Sequence, residues 1–127
     1  MNLSKNVLIT LGLAHTLLSA AHAQADPGLQ AISDLAQLNG QALACQDLKT
    51  AGRAKNLMLA HAPKTTRFGN TFEEGTQQSY LAQTRSQSDC PDAATLSTRL
   101  DALAQRLQIN LPAKAQDAAA KTPSETQ

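Results

Sequence analysis

Tryptophan is absent from this 127-residue chain, and two phenylalanines and one tyrosine are its only aromatic residues. Charge of either sign is equally scarce as a signature. Lys plus Arg total 11 against 10 for Asp plus Glu, which supplies neither the dense cationic face of a nucleic-acid binder nor an acidic solvating tail. There is no C-x-x-C pair, no glycine-rich phosphate cradle and no glycine-flanked nucleophile turn, so redox motifs, nucleotide loops and hydrolase elbows have no sequence basis. Valine does not occur after Val7, and beyond the first 23 residues the only isoleucines are Ile32 and Ile109. With the β-branched residues that fit a pleated surface nearly absent apart from scattered Thr, strands are not expected. The length suits one small domain.

What the chain does contain begins with an export segment. Lys5 precedes the apolar stretch Val7–Ala14, which continues through Leu17 and Leu18, a pattern that reads as a secretory signal peptide over 1–23. Small residues at alternating positions, Ala21-His22-Ala23 and Ala23-Gln24-Ala25, place cleavage after Ala23 or after Ala25. Thr10, His15 and Thr16 interrupt the stretch and leave it short of the roughly 18–20 apolar residues of a spanning helix. No membrane anchor is therefore expected after cleavage, and the working protein is expected to be periplasmic or secreted. Its ten basic and ten acidic residues cancel, and His61 is its only histidine.

Cys45 and Cys90 both survive processing. An even cysteine count in a small exported chain argues for a disulfide, and only one pairing exists. It would close a long loop, and the chain-entropy model converts that closure to about 4 kcal/mol of destabilisation of the unfolded state.

Leucine recurs with helical spacing, so the expected fold is all-α, a small four-helix bundle over 27–111. Leu29, Ile32, Leu35 and Leu38 form one stripe, closed by Asn39-Gly40, a pair suited to ending a helix. A second helix is expected from about Gln41 to Ala62, stopped by Pro63. Gly52 in its middle either weakens it or lets a neighbour approach closely. The third start is open, because Asn70-x-x-Glu73 and Thr71-x-x-Glu74 resemble capping boxes, whereas a start at Thr65 or Thr66 puts Phe68 and Phe72 on one face. The fourth carries the stripe Ala93, Leu96, Leu100, Leu103, Leu107, with Ser88 or Asp89 as cap and Pro91 in the first turn. Low aromatic content and abundant alanine imply close helix approach. Residues 112–127 lack large apolar side chains and are expected to be a disordered tail.

The densest collection of functional groups is His61-Ala62-Pro63-Lys64-Thr65-Thr66-Arg67-Phe68. It joins the lone histidine to two cations at a helix junction, where backbone N–H groups can face an anion. His61, Lys64, Arg67 and Phe68 are the candidate ligand or partner contacts. Met58 lies three residues before His61, and thioether plus imidazole suits copper, but two ligands do not make a site, so Met58 and His61 stay weak metal candidates. Glu73 and Glu74 are adjacent, about 100 degrees apart around a helix, and do not face each other as a catalytic pair. A hydrolase built on His61 with Ser79 or Glu73 would need an orienting carboxylate from elsewhere.

The layout of Cys45, the Phe68/Phe72 helix and Cys90-Pro91 in an exported helical chain is similar in arrangement to two groups, the acid-stress chaperones of the enteric periplasm and the pilotins of type II secretion. It differs from typical pilotins in having no cysteine after the signal for lipid attachment. The resemblance is architectural, and architecture does not determine function. By elimination, and because zero net charge on the exported chain gives little colloidal repulsion against association, the expected function is that of a non-catalytic exported accessory protein engaging another polypeptide as chaperone, pilotin or inhibitor, with no cofactor, no catalytic residue and no nucleic-acid partner. The alternative is a small-ligand or copper-binding protein using Met58, His61 and the Lys64/Arg67 junction.

Overall fold

The computed structural model describes residues 26–113. The expected signal segment and cleavage positions lie outside the described residues, as does the expected tail from residue 114 onward. Four helices make up the fold: α1 (Pro27–Ala44), α2 (Leu48–His61), α3 (Thr66–Ser86) and α4 (Ala93–Asn110). There is no strand among the described residues.

Local chemistry sets most helix starts. Asp26 accepts hydrogen bonds from the amides of Gly28 and Leu29 at 2.9 and 3.2 Å, with Pro27 opening α1. Asp47 caps α2 through the amide of Thr50 at 3.1 Å, and Asp92 caps α4 through that of Thr95 at 2.6 Å. An aspartate at this position satisfies an otherwise orphaned amide and faces the positive end of the helix dipole. Thr65 begins α3 with extended backbone and no side-chain cap, so the earlier of the two expected starts is the one adopted.

Three expected boundaries are corrected. Asn39-Gly40 does not end α1, which continues to Ala44. Gly40 keeps a negative φ, and an added Cβ there would lie 2.7 Å from Ser79 Cβ and 2.8 Å from the Tyr80 amide nitrogen. The glycine serves close helix packing, not chain reversal. In consequence α2 begins at Leu48, not near Gln41. The cap of α4 is Asp92 in place of Ser88 or Asp89, and Pro91 precedes the helix.

Contacts between residues fix the directions. Arg99 donates to Gln41, Arg106 to Asp34, and Leu111 abuts Gly28, so α4 runs antiparallel to α1. Ser79 donates to the Gln37 carbonyl at 2.6 Å and Gln41 meets Gln83 at 3.0 Å, so α3 runs parallel to α1. Arg53 bonds Ser97 and Asp101, and His61 bonds Leu111, so α2 runs with α4. Successive helices therefore alternate in direction, and α1 is the one that packs on all the others.

The core lies mainly between α1, α2 and α4. Ile32, Leu35 and Leu38 meet Leu96, Leu100 and Leu107, all at most 1% exposed, with Ala51 and Ala54 filling the α2 side. Phe68 is the sole buried residue of α3. That helix is held to α1 by close approach and polar contacts. An added Cβ on Gly75 would lie 2.8 Å from that of Ala36, and Asn39 donates to the Thr76 hydroxyl at 3.1 Å. The Cys45–Cys90 disulfide, with its Cα atoms 5.6 Å apart, ties the end of α1 to the loop leaving α3.

Candidate functional site: a groove between α2 and α3

Because α3 docks chiefly on α1, it leaves a trough between itself and α2. The volume is about 790 Å³. Asn39 and Leu43 of α1 lie at its base, Leu48, Ala51, Gly52, Lys55, Met58 and Leu59 form the α2 wall, and Gly69, Phe72, Glu73, Thr76, Gln77 and Tyr80 form the α3 wall. Antiparallel walls follow from the directions above: Leu48 and Ala51 stand near Tyr80, while Met58 and Leu59 stand near Gly69 and Phe72.

Leu48 is 71% and Leu59 68% exposed, and Leu43 and Tyr80 are also exposed. A single exposed leucine is ordinary on a protein surface. Several sharing one concavity are the feature that marks binding sites. The polar groups at its base and on its α3 wall are partly occupied already, since Asn39 and Thr76 bond each other and Thr76 also donates to the Ala36 carbonyl at 3.4 Å. Lys55 on one wall and Glu73 on the other are exposed, and neither enters an ion pair among the described residues.

The sequence candidates are dispersed. His61 is 7% exposed, and its Nδ1 lies 2.8 Å from the Leu111 carbonyl oxygen. A carbonyl only accepts, so Nδ1 carries the hydrogen and the ring ties the end of α2 to the end of α4. Phe68 is buried in the core at 8% exposure. Lys64 is exposed, and Arg67 lies 4.0 Å from the Asp26 carboxylate across the start of α1. Met58 is half-buried, packing on the core and reaching the groove wall. Ser79 spends its hydroxyl hydrogen on the Gln37 carbonyl, well along α1 from the Gly28 end where His61 and Leu111 meet. Among the described residues no three of His, Cys, Asp and Glu come together as a metal cluster.

The leucines of the groove were visible in the sequence without their role. Leu57, Met58 and Leu59 are consecutive and cannot all face one core on a helix. One of them had to look outward, and it is Leu59. Comparison with family models, with curated proteins and with solved structures returned no match.

Proposed function

We propose that this chain is a non-catalytic, exported accessory protein, periplasmic or secreted, that engages another polypeptide through the trough between α2 and α3. The observation that carries this reading is the gathering of Leu43, Leu48, Leu59 and Tyr80, all exposed, around one open concavity of about 790 Å³. Apolar side chains held in water at such a surface gain free energy when a partner covers them, at about 25 cal/mol per Å². The disulfide suits an oxidising compartment, and the balanced charge of the exported chain offers little repulsion against association.

Site-specific photo-crosslinking tests the reading with an internal control. A photo-reactive residue replaces either Leu59 in the groove or Ile109 on α4, which is 77% exposed and outside the groove. Polypeptide adducts formed from position 59 and not from 109 support the groove. Equal labelling from both positions, or none from 59 in the exporting cell, refutes it.

A further inference from the structure

Apart from Gly28, which packs on Leu111, the glycines of this bundle fall into two kinds. Gly40 and Gly75 are required by the close approach of α1 and α3, since an added Cβ would meet the other helix. Gly52 and Gly69 are different: each lies inside a helix, has an ordinary negative φ, and would place a Cβ in open space with nothing within 4 Å. Neither conformation nor internal packing calls for glycine there, and glycine inside a helix is destabilising relative to alanine. Yet both positions face the trough, one from each wall. Missing side chains on both walls let something outside the chain come close to the backbone of α2 and α3.

We infer that the trough receives an amphipathic helix of another polypeptide, seated against Gly52 and Gly69 with its apolar stripe on the groove leucines, a carboxylate edge toward Lys55 and a cationic edge toward Glu73. This rests on the polypeptide-binding reading and specifies the partner. The stretch from Leu48 to Leu59 covers about three helical turns, roughly 16 Å, and Gly69 to Tyr80 matches it, so a helix of three to four turns fills the length. Helix-in-groove recognition uses this combination of apolar side chains lining the groove and flanking polar edges. The unpaired charges on opposite rims favour an occupant of mixed charge over one of a single sign. A second copy of this chain seated groove to groove would face concavity with concavity. Seating the exposed Ile109 of one copy in the trough of the next would be a heterologous contact that does not close upon itself.

The test uses the folded protein and synthetic 18-residue helices with leucine at i, i+3, i+4 spacing. One carries glutamate along one edge and lysine along the other, and a second carries lysine on both edges. Fluorescence anisotropy should show tighter binding of the mixed peptide by about threefold, an exposed-charge effect. Lys55→Glu, which makes both rims acidic, should reverse that preference. Gly52→Leu should raise the unfolding midpoint by about 4 °C, from helix propensity, while weakening the mixed peptide at least tenfold. Stabilisation accompanied by loss of binding is a signature that a merely structural glycine does not produce.

Tight binding that Gly52→Leu leaves unchanged overturns the seating, with the polypeptide-binding reading intact. Failure of both peptides alongside crosslinking from position 59 replaces the helix with an extended chain. Failure of both measurements sinks the reading itself. Self-association of the wild type that the mixed peptide cannot displace and Gly52→Leu abolishes makes the occupant a second copy, and laurate binding with no competing peptide makes it a small lipophile. Either result overturns the inference.

Discussion

Removing the disulfide is the perturbation whose magnitude follows most directly from this architecture. Cys45 and Cys90 are separated by 45 positions, and closing such a loop lowers the entropy of the unfolded chain enough to contribute about 4 kcal/mol at 25 °C. Cys90 is exposed and Cys45 half-buried, so replacing both with serine leaves no core cavity and the effect resides in the unfolded state. For a domain of this size the unfolding entropy is about 0.18 kcal/mol/K, which converts the loss to a fall in Tm of about 20 °C. Urea and thermal unfolding followed by circular dichroism, comparing the wild type with the Cys45→Ser/Cys90→Ser variant, measures it. The variant should keep its native helix content at low temperature and show a larger m-value, because its unfolded chain is freer to expand. Hydrogen exchange should show the far half of α3 losing protection first, since that helix docks chiefly on α1 and the bridge secures its exit. A loss under 1 kcal/mol, with both forms melting together, would refute the account of the bridge as a staple.

Three further outcomes follow from the packing and the caps. Gly40→Ala forces a Cβ against the backbone of α3 and should cost about 1–3 kcal/mol by urea unfolding, the opposite sign to Gly52→Ala, which should stabilise by about 0.5–1 kcal/mol. The carboxyl of Asp47 is held below its ordinary value by the neighbouring Thr50 side chain and then by the Thr50 amide, which bonds it at 3.1 Å, and that of Asp92 by the Thr95 amide at 2.6 Å and then by the Thr95 side chain. A depressed folded-state value means that the two caps contribute stability in full above the unfolded carboxyl value of about 4 and lose it as pH falls through the lower folded value. Asp47→Asn should therefore flatten the acid limb of a stability-versus-pH curve, whereas an unchanged limb would contradict the assignment. His61→Ala leaves the half-buried Leu111 carbonyl without its donor and should cost about 1–3 kcal/mol. If copper protects the wild type thermally and not this variant, His61 has a ligand role beyond its structural one.

Much of the fold could be read in advance because it depends on local chemistry. The stripes Leu29–Leu38 and Leu96–Leu107 mark which faces of α1 and α4 turn inward, and the scarcity of Val and Ile argues against a sheet. Asn39-Gly40 and Ser88-Asp89 depart from their local signals. At the first, a pair that commonly ends helices was instead selected by an adjacent helix 36 or more residues away in sequence, through the contact of Gly40 with Thr76, Ser79 and Tyr80. At the second, several residues capable of capping stand in a row, and Asp92 is the one whose amide partner Thr95 belongs to the apolar stripe's first turn. The junction His61–Phe68 drew attention by composition, but its members serve different neighbours: His61 a helix end, Phe68 the core and Arg67 an aspartate.

Helix content, the single possible sulfur pairing and the polarity of each helix face were determined by the amino-acid order itself, since periodicity, capping side chains and cysteine count act within a few residues or admit one solution. Only tertiary packing decided that α3 rests chiefly on α1 and leaves a trough between itself and α2. That choice depends on glycine, alanine, serine and threonine meeting across α1 and α3 at distances no larger side chain allows, a property of two surfaces together. The trough, its leucines and its bare glycines exist as a consequence of that docking.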